Sequence, residues 1–175
     1  MTLTELFETF RESAFRSEAL QHYVLEEDEP RRQAFRAGHP LPPRPGKIES
    51  MRLVRDAVAA GKRVHRVHVV ELPLTEYLRY ELAVYSENIA AGEDVRIADR
   101  AAHRRMRELD TDFWLFDAET VRPAVVWFRY TVEGRILGRD YSDDPEDVRR
   151  ARTQRDLAVA HSLSLDEFLA LPGVR

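Results

Sequence analysis

Leu3, Leu6, Phe7 and Phe10 recur at helical spacing, and Thr2 and Glu5 precede them as a capping box, so a short amphipathic helix is expected to open the chain. The following stretch, SAFRSEALQHYVL at 13–25, has no clean period and stands between an edge strand and irregular structure. EDEPRRQAFRAG predicts a helix with Pro30 in its first turn and Gly38 past its end. Pro40, Pro42, Pro43 and Pro45 make HPLPPRPGK, 39–47, an extended proline-rich internal loop. A helix over 50–60 follows, with Ser50 as its cap and Gly61 as its stop.

The middle of the chain has the clearest pattern. KRVHRVHVVEL is rich in β-branched residues and predicts a strand. In PLTEYLRYELAVYSENIAAG, Leu74, Tyr77, Leu78, Leu82, Tyr85 and Ile89 share one helical face and Gly92 supplies the stop. EDVRIADR is a second strand, so 63–98 reads as a β-α-β unit with parallel strands. A short helix over 101–109 leads to the apolar strand DFWLFD, and the intervening 99–111 is long enough for another parallel crossover, with the pairing left open. The segment VRPAVVWFRYTVEGRILGRDYS predicts an antiparallel hairpin turning at Glu133 and Gly134. A long helix then opens at Pro145, and Ser164 with Glu167 caps a last short one, stopped by Pro172 and Gly173. The expected fold is α/β: a mixed, mostly parallel central sheet of about five strands with a C-terminal antiparallel hairpin and flanking helices, in a single domain over 1–175.

With 175 residues, of which 43% are hydrophobic, the chain is long enough to bury a sizeable core. It has no cysteine, which excludes a disulfide framework, a thiolate metal site and a cysteine nucleophile, and suits a reducing compartment. The first fifteen residues lack the pattern of a signal peptide, and no run approaches the ~20 apolar residues of a membrane span. A cytoplasmic location without membrane contact is therefore expected. A net charge of −4 disfavours direct nucleic-acid binding. All but Lys47 and Lys62 of the 27 basic residues are arginine, which suits oxyanion recognition but also follows from base composition.

Candidate chemistry is sparse. Glu81 interrupts the apolar face of the middle helix and its neighbours one turn away cannot neutralise it, so it either forms a buried tie to Arg66 or Arg96 on the flanking strands or faces a ligand. If the strands ending at Val70, Ala98 and Phe116 are parallel, Glu71, Asp99, Arg100 and Asp117 share the carboxyl rim where open α/β sheets bind ligands. Such carboxylates either hold a magnesium ion or simply cap helices and turns. His65 and His68 point to opposite faces of a strand and make no metal pair. Glycine-rich phosphate loops, nucleophile elbows and zinc-protease motifs are absent, and neither a metal nor a cofactor is expected. Trp127, Phe128 and Tyr130 are core residues or, if exposed, a partner surface.

The strings LFETFRESAFRSEAL, YLRYELAVYSENIAAGEDVRIADR, FWLFD and RDLAVAHSLSLDEF resemble an actinobacterial family of uncharacterised proteins, with PAVVW at 123–127 as a departure. Members are often encoded beside helix-turn-helix regulators, which implies an accessory role with such a regulator as protein partner. A more distant likeness is to phospholipase-D-like half-domains, but the His-x-Lys motif of those enzymes is missing here. The expected function is a non-catalytic protein that binds a partner or a small effector. The alternative is an enzyme on a phosphorylated or nucleotide-like substrate, with Asp99 and Asp117 as metal or acid/base residues and Arg66, Arg96 and Arg100 as anion clamps.

Overall fold

The computed structural model describes residues 1–174. Helix α1 (Leu3–Thr9) opens as the capping box requires: the Glu5 amide donates to Thr2 and the Thr2 amide to Glu5. The ambiguous stretch after it is a strand, β1 (Ser13–Glu18), and it lies in the middle of the sheet instead of at an edge. Helix α2 (Glu29–Arg36) leads into the proline-rich loop, which is shorter than expected because α3 (Pro45–Ala59) already begins at Pro45. Proline suits the first helical position, where the amide it lacks would have no partner. Ser50 is thus inside α3, with its hydroxyl on the Gly46 carbonyl, and caps nothing.

Strand β2 (Arg63–Val70), helix α4 (Glu76–Ala90, capped by Thr75) and strand β3 (Asp94–Asp99) form the expected unit, and β2 and β3 pair in parallel with Val70 beside Asp99. On α4, Ile89 falls outside the buried face and Asn88 takes the buried place. Strands β4 (Phe113–Phe116), β5 (Ala124–Tyr130) and β6 (Ile136–Ser142) follow, then α5 (Pro145–Ala160), β7 (Leu163–Ser164) and α6 (Leu165–Leu169).

The sheet has seven strands in the order β6-β5-β4-β1-β2-β3-β7. Only β1–β2 and β2–β3 are parallel, whereas β1–β4, β4–β5, β5–β6 and β3–β7 are antiparallel, so both the expected count and the expected parallel majority are corrected. The two added strands are β1 and β7, and the direction of β4 is decided in the connection between β3 and β4. That connection contains a single 3₁₀ turn, Arg104–Glu108, and Arg100 fastens it to the rim by donating to the Met106, Leu109 and Ala19 carbonyls. The chain therefore re-enters the sheet from the rim at which it left, and β4 must run against β1.

Side chains alternate between two covered faces. One face carries α5 over Phe15, Val67, Val69, Phe113, Leu115 and Val125. The other carries α1 and α3 over Ala14, Val64, Trp114, Phe116, Val126 and Phe128, and α4 over Val70, Val95 and Ile97. These last two apolar clusters are separated in the middle of the sheet by polar residues.

The β5–β6 hairpin turns where expected. Gly134 has φ +88°, and a Cβ there would stand 2.3 Å from the His22 carbonyl oxygen. Gly134→Ala is expected to cost at least about 2 kcal/mol, from left-handed strain together with this clash; the urea midpoint checks it.

Candidate functional site

The polar strip that divides the core starts from four side chains on neighbouring strands. Arg16 and Glu18 of β1 point to the α3–α4 face, as do Arg66 and His68 of β2, and the register sets Arg16 beside Arg66 and Glu18 beside His68. In a sheet covered on both sides such residues must be paired, because a buried lone charge costs several kcal/mol.

The pairing is dense. The Arg66 guanidinium donates to Glu18 at 2.8 Å and grips Glu93 through Nε at 2.6 Å and Nη2 at 3.3 Å. Asn88 Nδ2 also donates to Glu93, at 2.5 Å. Arg16 lies 4.2 Å over the Phe128 ring, donates to Asp112 at 2.7 Å and stands 3.5 Å from Glu18. Asp112 further accepts from Tyr23 Oη at 2.7 Å and from the Ala19 amide at 2.8 Å. Tyr85 Oη donates to Glu18 at 2.7 Å and touches His68 Nδ1 at 2.8 Å, while His68 Nε2 meets the Leu20 carbonyl at 2.9 Å. A carbonyl only accepts. The fully buried His68 ring thus donates from Nε2 to Leu20, and the role of its Nδ1 toward the Tyr85 hydroxyl follows the tautomer. Three carboxylates face two guanidiniums and this imidazole.

Electrostatics divides the acidic groups. Burial pushes Glu18 up, but Arg66 and Arg16 outweigh it and hold its pKa far below the usual carboxylate range. For Asp112 burial wins over Arg16, and the pKa is raised. Glu81, half-buried on α4, is also raised, by burial first and by Glu18 second, against Lys47, His68 and Arg66. Lys47 shows the reverse: burial, then Arg66, push its pKa down.

The expected tie between Glu81 and an arginine is not formed. Arg66 is occupied by Glu18 and Glu93, and Arg96 bonds Ser162 through its hydroxyl and its carbonyl, fastening the end of α5 to β3. Glu81 accepts one long bond, 3.3 Å, from Tyr77 Oη. Lys47 donates to Asn88 Oδ1 at 2.5 Å. Among the described residues neither Glu81 nor Lys47 has an ion-pair partner, so the two stand at the outer margin of an otherwise paired network.

The other sequence-derived candidates are dispersed. Glu71 and Arg100 do meet at the carboxyl rim, 3.0 Å apart, but both terminal nitrogens of Arg100 are engaged in holding the loop. Asp99 caps the turn after β3 by accepting from the Ala101 amide. Asp117 lies at the opposite rim, because β4 is antiparallel to β1. Its φ is +50°, and its carboxylate accepts from the amides of Arg11, Glu12 and Ser13. Asp117→Ala is expected to cost about 3 kcal/mol, since bonds to a charged acceptor contribute about 1.5–3 kcal/mol; thermal unfolding checks it. Among the described residues no three acidic or histidine side chains converge as metal ligands.

Trp127 and Phe128 alternate across the sheet and form no common patch. Trp127 packs on Phe113 beneath Arg150, whereas Phe128 is buried between Arg16 and Arg139 and stacks with Tyr130. The sequence reading missed Arg16, Glu18, Lys47, His68, Asn88, Glu93 and Asp112. One signal for them was present: Arg66 and His68 fall two apart, on one face of a strand with buried residues on both faces.

Beside this network, α3, α4 and the proline-rich loop enclose a cleft of about 400 Å³, within the size range of small-molecule sites. Lys47 lines it, so the cleft adjoins the network's margin. No helix among the described residues is long and apolar enough to cross a membrane.

Fold and site together define a mixed α/β domain whose core is divided by an ionic network, a class that carries no activity by itself. The chain belongs to the family described as Domain of unknown function (DUF6879), which matches residues 1–170. A search of curated proteins finds no match to the chain.

Proposed function

We propose that the protein is a non-catalytic effector-binding module, with Lys47 and Glu81 as the groups through which a small molecule reaches the buried network. The observation that supports this is their lack of ion-pair partners at the margin of a network whose buried arginines and carboxylates are paired, beside a cleft that Lys47 lines. Following the resemblance, the module would act in the cytoplasm beside a helix-turn-helix regulator, which a pull-down from the native host tests.

The binding reading is tested by a thermal-shift panel of small molecules on the wild type and on Lys47→Met. Compounds that stabilise the wild type and lose their effect in the variant support it. Stabilisation that survives Lys47→Met overturns it. A second, enzymatic reading draws on one observation: Glu81 is shifted up and Lys47 down, toward values useful for proton transfer. Turnover in a phosphoester panel, lost in Glu81→Gln, would favour that reading.

A further inference from the structure

The α3–α4 cleft has a charge imbalance that specifies its ligand. Four cations line it, Arg31, Arg44, Lys47 and Arg55. Arg31 is neutralised by Glu87 at 2.5 Å and Arg44 by Asp28 at 3.0 Å. Lys47 has only the neutral Asn88 amide, and among the described residues Arg55 has no acidic partner. Two cations of α3 thus line the cleft without a direct ion-pair partner, although Glu81, Glu87 and Glu93 act on Lys47 from a distance. Arg44 Nε is in addition buried with no hydrogen-bond acceptor.

The cleft also has an apolar side. Ile48 is 54% exposed although it lies within the cleft, and Leu41, Pro43 and Met51 line it as well. The loop wall is fixed, because Arg31 donates to the Pro42 carbonyl at 2.7 Å. This gives the proline-rich stretch a role: it holds Leu41 and Pro43 in the lining of a cleft that the α3 cations also line. The first turn of α3 borders the same space, and its N-cap, Arg44, supplies no side-chain acceptor to the helix amides.

We infer that the cleft binds a small-molecule phosphate monoester, its dianionic phosphate on Lys47 and Arg55 and its apolar body on Leu41, Pro43 and Ile48. The inference rests on the effector-binding reading and names the chemical class of the effector. Two cations without a direct ion-pair partner suit a phosphate dianion, the exposed Ile48 suits an apolar substituent, and a cleft of about 400 Å³ suits a small molecule.

The test is a ¹H–¹⁵N NMR titration of the full chain with phenyl phosphate, compared with inorganic phosphate and with phenol. Saturable shifts of the Gly46, Lys47 and Ile48 amides are expected, with phenyl phosphate the tightest ligand of the three. Binding should weaken about tenfold in Arg55→Ala, the loss of one charge-assisted contact. Arg55 is exposed, so this variant keeps its fold; Ile48→Ser, a second exposed position, should weaken phenyl phosphate but leave inorganic phosphate unchanged. Shifts that do not saturate, or that are unaffected by Arg55→Ala, overturn the inference. If a neutral or cationic compound from the panel instead proves sensitive to Lys47→Met, the phosphate class falls while the effector-binding reading stands.

Discussion

Arg66→Met is expected to lower folding stability by about 3–5 kcal/mol, the cost of removing one member of a buried ion pair. The estimate is a lower bound here because Arg66 serves two buried carboxylates, Glu18 and Glu93. Methionine fills much of the volume but leaves Glu18 to Tyr85 and the distant Arg16, and Glu93 to Asn88 alone. The pH dependence identifies the cause. In the wild type the Glu18 pKa is depressed, so its contribution is complete above the unfolded value of about 4.3 and is lost as pH falls through the lower folded value. Without Arg66, burial raises the Glu18 pKa, and the variant regains stability as pH falls toward 4. The gap between wild type and variant should therefore narrow between pH 7 and pH 4, as measured by urea denaturation. A gap independent of pH would place the loss in packing.

Asp112→Leu is expected to cost a similar amount, about 3–5 kcal/mol. Asp112 fastens the start of β4 to the end of β1 by accepting from Arg16, Tyr23 and the Ala19 amide. Leucine removes all three bonds, leaving Arg16 with Glu18 at 3.5 Å and the Tyr23 hydroxyl buried without an acceptor. Chemical denaturation should show a lower midpoint with an unchanged slope, since the surface exposed on unfolding stays the same. Arg66→Met and Asp112→Leu combined should cost less than the sum of the two, because both act on Glu18 and Arg16 in one network.

The β-α-β unit, the hairpin and both capping boxes were legible because local signals specify them: β-branched runs, Gly92 and Gly134, and Thr2–Glu5 and Ser164–Glu167. The central strand β1 was not. A strand covered on both faces reads as an apolar run, and Arg16 and Glu18 break that run for reasons visible only once Asp112 and Arg66, far away in sequence, are in place. The direction of β4 was equally hidden, since the length of 99–111 permits a parallel crossover and only the hold of Arg100 on that loop decides against it. The pattern did mark Glu81 as out of place. It could not assign a partner, because Arg66 is taken by Glu18 and Glu93, and Glu93 lies just past the helix stop.

Glu81 is also where the central claim is most directly exposed to test: a paired network carries the stability, and the two unpaired groups at its margin serve binding. Burial raises the Glu81 pKa, so keeping it ionised at neutral pH opposes folding, and that cost fades as pH falls toward the unfolded value. Glu81→Gln should therefore melt at the same temperature as the wild type or higher at pH 7.5, with the difference shrinking toward pH 4.5. A clear drop in melting temperature at pH 7.5, comparable to that of Arg66→Met, would contradict the account and make Glu81 a structural member of the network.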